Sequence, residues 1–206
     1  MAAVHRINDV DALSKSAQKI HDDLVGIQAD GIVKQFDKII ADLKANWRGP
    51  DAVKNINRVI VIRNVVSRFR NALDKLAVES GNIAYKYREV QNSNLANRPT
   101  LSKIAPFSNL TEESQFSDSF EGVDVKAGLG DVRTPFAEVL SKIDTLMSNF
   151  ESIKTEMLDN NFQEGPERED ALAAFNTFKK EYNDIVVPNA KALRTDIDTA
   201  AQNYMV

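Results

Sequence analysis

Two short sequence patterns are together the best functional clue in the chain. Trp47-Arg48-Gly49 contains the only tryptophan of the chain, and Tyr85 is followed by Glu89 four residues later. Residues four apart share one face of a helix, so Tyr85 and Glu89 present an aromatic ring and a carboxylate side by side. The structural interpretation is that Trp47 packs at the end of a bundle and that the spacing of Tyr85 and Glu89 is a coincidence.

The chain offers little for catalysis or for binding a metal or cofactor. Its only histidines are His5 and His21, and His21 stands beside two aspartates whose adjacent helix positions point to different faces. The chain has no cysteine, and Gly128-Leu129-Gly130 lacks the Lys and Ser or Thr that end a phosphate-binding loop. We therefore predict a non-enzymatic protein with no catalytic residue, no metal and no cofactor, and we expect His21 to be a surface residue.

The composition predicts a protein without a membrane-spanning helix and with opposite charges in its two halves. No stretch approaches the roughly 20 consecutive apolar residues that such a helix needs, and the first residues lack a signal-peptide pattern. Residues 1–98 carry sixteen Lys and Arg against eleven Asp and Glu, whereas residues 99–206 carry ten against nineteen. Opposite charges favour association of the halves; solvated helix faces are the alternative. Because the chain is acidic overall, we expect no binding to nucleic acid.

Apolar residues at intervals of three and four predict a first pair of long helices. The first helix is expected from about Asp9 to Asn46, and a shift of register near Gly26 and Gly31 predicts a bend. The second is expected after Gly49-Pro50, because glycine ends helices and proline is tolerated in a first turn. The apolar stripe of the first helix is Leu13, Ala17, Ile20, Leu24, Ile27, Ile32, Phe36, Ile39 and Leu43. The stripe of the second is Val59, Ile62, Val66, Phe69, Leu73, Leu76, Ser80, Ile83 and Tyr87.

The region from about Asn92 to Gly130, here called the strap, breaks this pattern. It contains Pro99, Pro106 and several serines, but also apolar residues that a free linker would not need. We predict that the strap lies along the bundle, with a short helix near Thr111–Ser117. Full disorder is the alternative. The apolar residues of the strap are Leu101, Ile104, Phe107, Leu110, Phe116 and Phe120.

A second pair of helices is predicted after the strap. The third helix follows Pro135, and a break is expected at Asn160–Pro166. The last helix contains Pro188, which predicts a kink or a short break near Val187. The apolar stripe of the third helix is Phe136, Leu140, Ile143, Met147, Phe150, Ile153 and Met157. The stripe of the last is Leu172, Phe175, Phe178, Tyr182, Ile185, Leu193, Ile197, Ala200 and Tyr204.

The two predicted turns have related sequences. Each contains an asparagine and an aromatic residue, then a short spacer, Gly-Pro and an acid, with Trp47 and Gly49 in the first turn and Phe162 and Gly165 in the second. This similarity favours a duplicated helical hairpin whose second copy has degenerated; convergence of two similar turns is the alternative. A lone hairpin leaves an apolar face bare, so we expect the two hairpins to pair within the chain.

Residues 9–91 resemble the Trp-x-Gly (WXG) superfamily of type VII secretion substrates. The resemblance rests on a hairpin of about 85 residues, on Trp47-Arg48-Gly49 at the bend, and on Tyr85 and Glu89 near the end of the second helix. It implies export without a signal peptide and recognition of the Tyr-x-x-x-acid motif by a membrane ATPase. It also implies a composite signal in which the bend of one hairpin lies beside the tail of its antiparallel partner.

The chain departs from the family pattern in one respect. The export motif of the family lies near the C-terminus, whereas 117 residues follow Glu89 here. In an antiparallel fused bundle, Tyr85 and Glu89 would lie beside the degenerate turn Phe162–Gly165. Trp47 would lie beside Tyr204, which has no acid four residues later. Each composite signal would then be half complete.

Together these patterns predict an all-α fold of two antiparallel helical hairpins packed as a four-helix bundle. The expected regions are a WXG-like hairpin at 1–91, the strap at 92–130 and a degenerate hairpin at 131–206. The predicted function is protein binding by an exported or secretion-associated bacterial protein that is cytoplasmic before export, with a secretion ATPase or another WXG-like protein as partner. The alternatives are a membrane-active toxin component and an intracellular helical scaffold.

Overall fold

The computed structural model describes residues 5–94 and 97–204, and the predicted all-α fold is confirmed. Long helices arranged as two antiparallel hairpins pack as a bundle, and four very short strands flank the turns within the described residues. The helices are α1 (Val10–Lys19), α2 (Asp30–Asn46), α3 (Pro50–Ser93), α4 (Arg133–Lys154), α5 (Pro166–Glu181) and α6 (Val187–Tyr204). The strands are β1 (Arg6–Ile7), β2 (Trp47–Arg48), β3 (Asp124–Val125) and β4 (Phe162–Glu164).

Contacts group the chain into two compact units, each of which takes segments from both hairpins. Unit 1 comprises Met1–Ala29, Phe69–Leu110 and Thr145–Asn176. Unit 2 comprises Asp30–Arg68, Thr111–Asp144 and Thr177–Val206. The units therefore group residues differently from the regions 1–91, 92–130 and 131–206, which follow the order of the chain.

Each unit has an apolar core that includes aromatic side chains. In unit 1, the ring of Phe150 lies 5.7 Å from that of Phe69, edge to face, and 5.0 Å from that of Phe175. In unit 2, Phe36 and Phe136 meet edge to face at 6.5 Å. Burying one such side chain contributes about 1.5–3 kcal/mol, so these rings are major sources of stability in their units.

The apolar stripe predicted for the second helix is the buried face of α3. From Val59 to Ile83, every residue of that stripe is at most 8% exposed, including Ser80, and only Tyr87 is half-buried. Basic side chains of α3 pair with acids of the second half of the chain, as the charge distribution suggested. Lys75 contacts Asp170 at 3.2 Å in unit 1, and Arg58 contacts Asp196 at 2.6 Å in unit 2.

A π-helical segment, Ile20–Ala29, explains the register shift in the first helix and corrects one member of its stripe. Hydrogen bonds from i to i+5 give more residues per turn than the 3.6 of an α-helix. The inward positions are therefore Ile20, Leu24, Val25 and Ala29. Ile27, predicted to face the core, is 70% exposed.

The stripe predicted for the third helix differs from the observed burial at two positions. In α4, Leu140 and Met147 are only half-buried, whereas the neighbouring Val139 and Leu146 are fully buried.

Near Pro188, where a kink or a short break was predicted, a π-helical turn at Tyr182–Val186 leads directly into α6 at Val187. A proline lacks the N–H that an α-helix needs. The wider π-helical turn lies just before this proline, and no loop separates α5 from α6.

The register of the π-helical segment predicts opposite effects of two neighbouring truncations. Val25→Ala removes methyl groups from the core and should destabilise the protein by about 1–3 kcal/mol. Ile27→Ala changes an exposed side chain and should alter stability by no more than about 0.5 kcal/mol. Urea unfolding followed by circular dichroism measures both. A larger loss for Ile27→Ala than for Val25→Ala would show that the segment keeps an α-helical register.

Candidate protein-binding site

Tyr85 and Glu89 form a hydrogen-bonded pair on one face near the end of α3. The hydroxyl of Tyr85 donates to Oε1 of Glu89 at 2.7 Å, and Nζ of Lys103 lies 4.9 Å from the centroid of the tyrosine ring. The hydrogen bond to Glu89 raises the pKa of the Tyr85 hydroxyl, so the hydroxyl stays protonated at neutral pH. Tyr85 is half-buried and Glu89 is exposed. The ring and hydroxyl of Tyr85 and the carboxylate of Glu89 therefore lie side by side on this face of α3.

The N-terminal segment lies between the end of α3 and the second turn in unit 1. The hydroxyl of Tyr87 donates to the carbonyl of His5 at 2.9 Å, and Nε2 of His5 lies 2.8 Å from Oε2 of Glu167. Strand β1 pairs antiparallel with β4, with Ile7 opposite Phe162. Phe162 is fully buried, and its ring centroid lies 5.9 Å from that of His5. The end of α3 and the second turn are therefore linked through residues 5–7.

Gly165 completes the second turn with a conformation that favours glycine. Its φ is +153°, and a Cβ added to it would lie 2.7 Å from the ring of His5 and 2.8 Å from that of Phe162. Helix α5 begins at the next residue, Pro166. Phe162 and Gly165 thus close the core of unit 1, and the turn offers no exposed aromatic side chain.

Trp47 occupies the equivalent position in the first turn, within unit 2. It is 3% exposed, and strand β2 pairs antiparallel with β3, with Trp47 opposite Val125. Its indole Nε1 is buried without a hydrogen-bond partner among the described residues. A cavity of about 150 Å³ is lined by Trp47 and by residues of α6, including Asp196 and Asn203. The side chain of Tyr204, expected beside Trp47, lies outside the described residues.

The strap closes over the first turn through Arg48 and Gly49. The guanidinium of Arg48 holds both carboxylate oxygens of Asp118 at 3.1 Å and lies 4.6 Å from the ring centroid of Phe120. Gly49 has φ +107°, and a Cβ added to it would lie 2.1 Å from the carbonyl oxygen of Gly122. The first turn is therefore covered by the strap, and Trp47 is not available as a surface anchor.

A set of asparagines on α3 binds the backbone of the strap, and the sequence reasoning missed it. Asn57, Asn64 and Asn71 are seven residues apart, so they share one helix face. In unit 2, the side-chain amide of Asn57 pairs with both the N–H and the carbonyl of Phe116, and that of Asn64 pairs in the same way with Glu113. We call these residues, together with Asn71 and Asn92 in unit 1, the amide ladder. The heptad spacing of asparagines was a signal in the sequence that could have revealed it.

The strap in unit 2 is extended, and the short helix predicted at Thr111–Ser117 is not formed. Seven helical residues rise about 10.5 Å, and three residues of the strap cover the same distance between Glu113 and Phe116. That is about 3.5 Å per residue, the rise of an extended chain. The expected helix fails because the strap gives its backbone hydrogen bonds to α3, including Thr111, whose carbonyl accepts from Arg63.

His21, expected to be a surface residue, lies against the strap in unit 1. Its side chain is 13% exposed, and its ring stacks on that of Phe107 at 4.2 Å between centroids. Its Nε2 lies 2.9 Å from the carbonyl oxygen of Ala105, and its Nδ1 lies 2.9 Å from Oδ1 of Asp22. His21 lies in the π-helical segment Ile20–Ala29. Its position against the strap was not predicted because helix periodicity does not show the path of the strap.

Comparison with family models, with curated proteins and with solved structures finds no match for this chain.

The close approach at Gly49 predicts a marked loss of stability on substitution. Gly49→Ala requires a strained φ and pushes Gly122 away, so it should destabilise the protein by more than about 2 kcal/mol. Gly31→Ala is the matched control, because that glycine lies in α2 with nothing within 4 Å of an added Cβ. It should stabilise by about 0.5–1 kcal/mol. Thermal unfolding of both variants checks the pair, and equal effects would contradict the assignment.

The ion pair between Arg48 and Asp118 predicts a pH-dependent contribution to stability. Hydrogen bonding from Arg48 lowers the pKa of the Asp118 carboxyl in the folded protein. Its contribution is therefore complete above the unfolded pKa of about 3.9 and is lost as the pH falls through the lowered folded value. The difference in unfolding free energy between the wild type and Asp118→Asn should shrink as the pH falls from 6 to the acid range. A difference that is constant with pH would contradict the pairing.

Proposed function

We propose that this chain is a non-enzymatic, exported or secretion-associated protein of the WXG type that acts by binding other proteins. The observation that carries this proposal is the reciprocal arrangement of the two Gly-Pro turns. In unit 1, the turn before Pro166 pairs through β4 with β1, which precedes α1. In unit 2, the turn before Pro50 pairs through β2 with β3, which precedes α4.

This arrangement supports an origin by duplication of a hairpin that formed antiparallel pairs. Each copy has the order strand, helix, strand, Gly-Pro, helix, and each turn strand pairs with the leading strand of the other copy. Both turn glycines, Gly49 and Gly165, have positive φ, and both turn aromatics, Trp47 and Phe162, are buried. A pair of separate hairpins would use the same contacts between chains. Here a single chain supplies both hairpins.

The exposure of the motif residues supports a division of roles between them. Trp47 is buried under the strap, so its part is to hold the first turn. Glu89 is exposed and Tyr85 is half-buried beside it, so this pair is the part of the resemblance that a partner protein can reach. We therefore assign partner recognition to Tyr85 and Glu89, with a secretion ATPase as the partner that the resemblance implies.

Among the described residues, no helix combines the length and the apolar character that crossing a membrane requires. Liposome leakage is the assay that tests the alternative of a membrane-active toxin component.

Export from a host with a type VII secretion system tests the proposal. Tyr85→Phe combined with Glu89→Gln removes the hydrogen-bonded pair and the charge but leaves the surrounding core untouched. We expect this double variant to remain in the cells while the wild type appears in the medium, as measured by immunoblotting of both fractions.

Tyr182→Phe is the matched control for this experiment. The hydroxyl of Tyr182 also donates to a carboxylate, that of Asp144, and burial together with this bond raises its pKa to about 12. This control should be exported like the wild type. Export of the double variant at the wild-type level, or absence of wild-type export from a host with a type VII secretion system, would reject the secretion role.

A further inference from the structure

Helix α3 binds part of the strap in unit 1 mainly through the strap's own backbone. The amide of Asn71 pairs with both the N–H and the carbonyl of Leu110, at 3.0 and 2.9 Å. The amide of Asn92 pairs in the same way with Arg98, at 2.8 and 3.0 Å. An amide that accepts from an N–H and donates to the carbonyl of the same residue imitates a neighbouring β-strand. Recognition of this kind does not depend on the side chain of the bound residue.

Further backbone groups of residues 98–110 are bound between these two pairs. Arg70 donates to the carbonyl of Ser108 at 3.0 Å, and Arg88 donates to the carbonyl of Pro99 at 2.7 Å. The N–H of Phe107 donates to a carboxylate oxygen of Asp74 at 3.0 Å. The 21 residues from Asn71 to Asn92 rise about 32 Å along α3, and the strap covers that distance in the twelve residues from Leu110 to Arg98. That is about 2.6 Å per residue, an extended path somewhat shorter per residue than a polyproline II helix.

The exposure of the side chains in this segment follows a threefold period. Polyproline II has three residues per turn, so every third side chain faces the same way. At 98–110 these positions are apolar and are less exposed than their neighbours. They are Leu101, Ile104, Phe107 and Leu110.

Two pockets receive the central pair of these side chains. Ile104 is 6% exposed and packs on Gly81 of α3, where an added Cβ would lie 2.5 Å from its Cδ1. Phe107 stacks on His21, and the guanidinium of Arg70 lies 5.4 Å from the ring centroid. The surface of α3 in unit 1 thus specifies an extended backbone, its direction and two apolar side chains.

Burial of apolar side chains contributes little to holding residues 98–110, here called the resident segment, against α3. Of residues 98–110, Ile104 alone is fully buried, and most of the others are exposed. Segments with few buried apolar contacts open at free energies below that of global unfolding. The surface beneath residues 98–110 therefore becomes accessible in a minor population, and any external ligand binds with an affinity reduced by that population.

We propose that this face of α3 is a peptide-binding groove, occupied within the chain by residues 98–110, that takes an extended segment of a partner protein with an apolar side chain at every third position. The resident segment supplies the argument for this occupant, since it shows which backbone and side-chain groups the groove accepts. The groove adjoins Tyr85, because Lys103 of residues 98–110 lies 4.9 Å from the centroid of the tyrosine ring. The proposal is nevertheless separate from secretion, because its test measures peptide binding and not export.

A fluorescent 13-residue peptide with the sequence of residues 98–110 tests the groove on the full-length protein. Fluorescence anisotropy should show saturable binding with one peptide per chain. Ile104→Ser in the protein weakens only the resident segment, so it should tighten peptide binding about tenfold by raising the open population. Ala105→Ser, at the exposed neighbouring position, should leave binding unchanged. Leu101→Ser replaces Ile104→Ser if that variant fails to fold by circular dichroism.

Methylation of single backbone nitrogens in the peptide tests the backbone contacts separately. N-methylation at the positions of Phe107 and Leu110 removes the donors to Asp74 and Asn71 and should weaken binding at least tenfold. N-methylation at the position of Lys103, whose N–H has no hydrogen bond among the described residues, is the control and should have little effect.

Three outcomes would overturn the proposal. The first is no binding to the wild type or to either strap variant, and the second is equal affinity for all the methylated peptides. The third is a dimer on size-exclusion chromatography in which two chains exchange residues 98–110, because the groove would then belong to a second copy of the chain.

Discussion

The structure depends on satisfying the backbone hydrogen bonds of residues 97–123, a long part of the strap that forms neither helix nor strand. Loops longer than about 15 residues without internal structure are uncommon in compact proteins, and buried backbone groups without partners are costly. Here side chains of α3 supply the backbone hydrogen bonds that a neighbouring β-strand would otherwise supply. Asn57 and Asn64 do so in unit 2, and Asn71 and Asn92 do so in unit 1. Residues 97–123 of the strap can then cover His21 and the turn at Gly49 without folding into a helix or strand, and β3 follows beside Trp47.

The sequence predicts the apolar faces of regular helices, because these follow from helix periodicity. It does not predict local changes of helix type or the conformation that α3 imposes on the strap. The stripe of α3 from Val59 to Ile83 is buried as predicted, because a 44-residue α-helix repeats one geometry throughout. Ile27 was misassigned because a π-helical segment changes the number of residues per turn, and no residue type marks such a segment in a sequence. The helix expected at Thr111–Ser117 rested on local preference, which the amides of α3 override by binding the backbone directly.

For the candidate site, the sequence identified the motif residues but not which of them are accessible. The pair Tyr85 and Glu89 follows from helix spacing alone, and the structure forms it as a hydrogen bond of 2.7 Å. Burial of Trp47 follows from the strap, whose path depends on Arg48 binding Asp118, a contact across 70 residues. The amide ladder could have been predicted by reading two periods together, asparagines every seven residues in α3 and apolar residues every third position in the strap. Seven helical residues and three extended residues both rise about 10 Å, so the two elements run in step at Asn57, Asn64 and Asn71. Asn92 departs from this register, because it binds Arg98 and not Leu101.

The two turns indicate which features a hairpin of this type must retain and which can change. Both retain a glycine with positive φ followed by proline, since an added Cβ would collide with a backbone carbonyl at Gly49 and with two rings at Gly165. The aromatic residue before the glycine differs in type and in spacing, yet Trp47 and Phe162 are both buried and both belong to strands paired with a leading segment. The requirement at that position is therefore an apolar ring that closes the core. A tryptophan there is evidence of a packing role first, whereas at the end of α3 Tyr85 is half-buried and Glu89 is exposed.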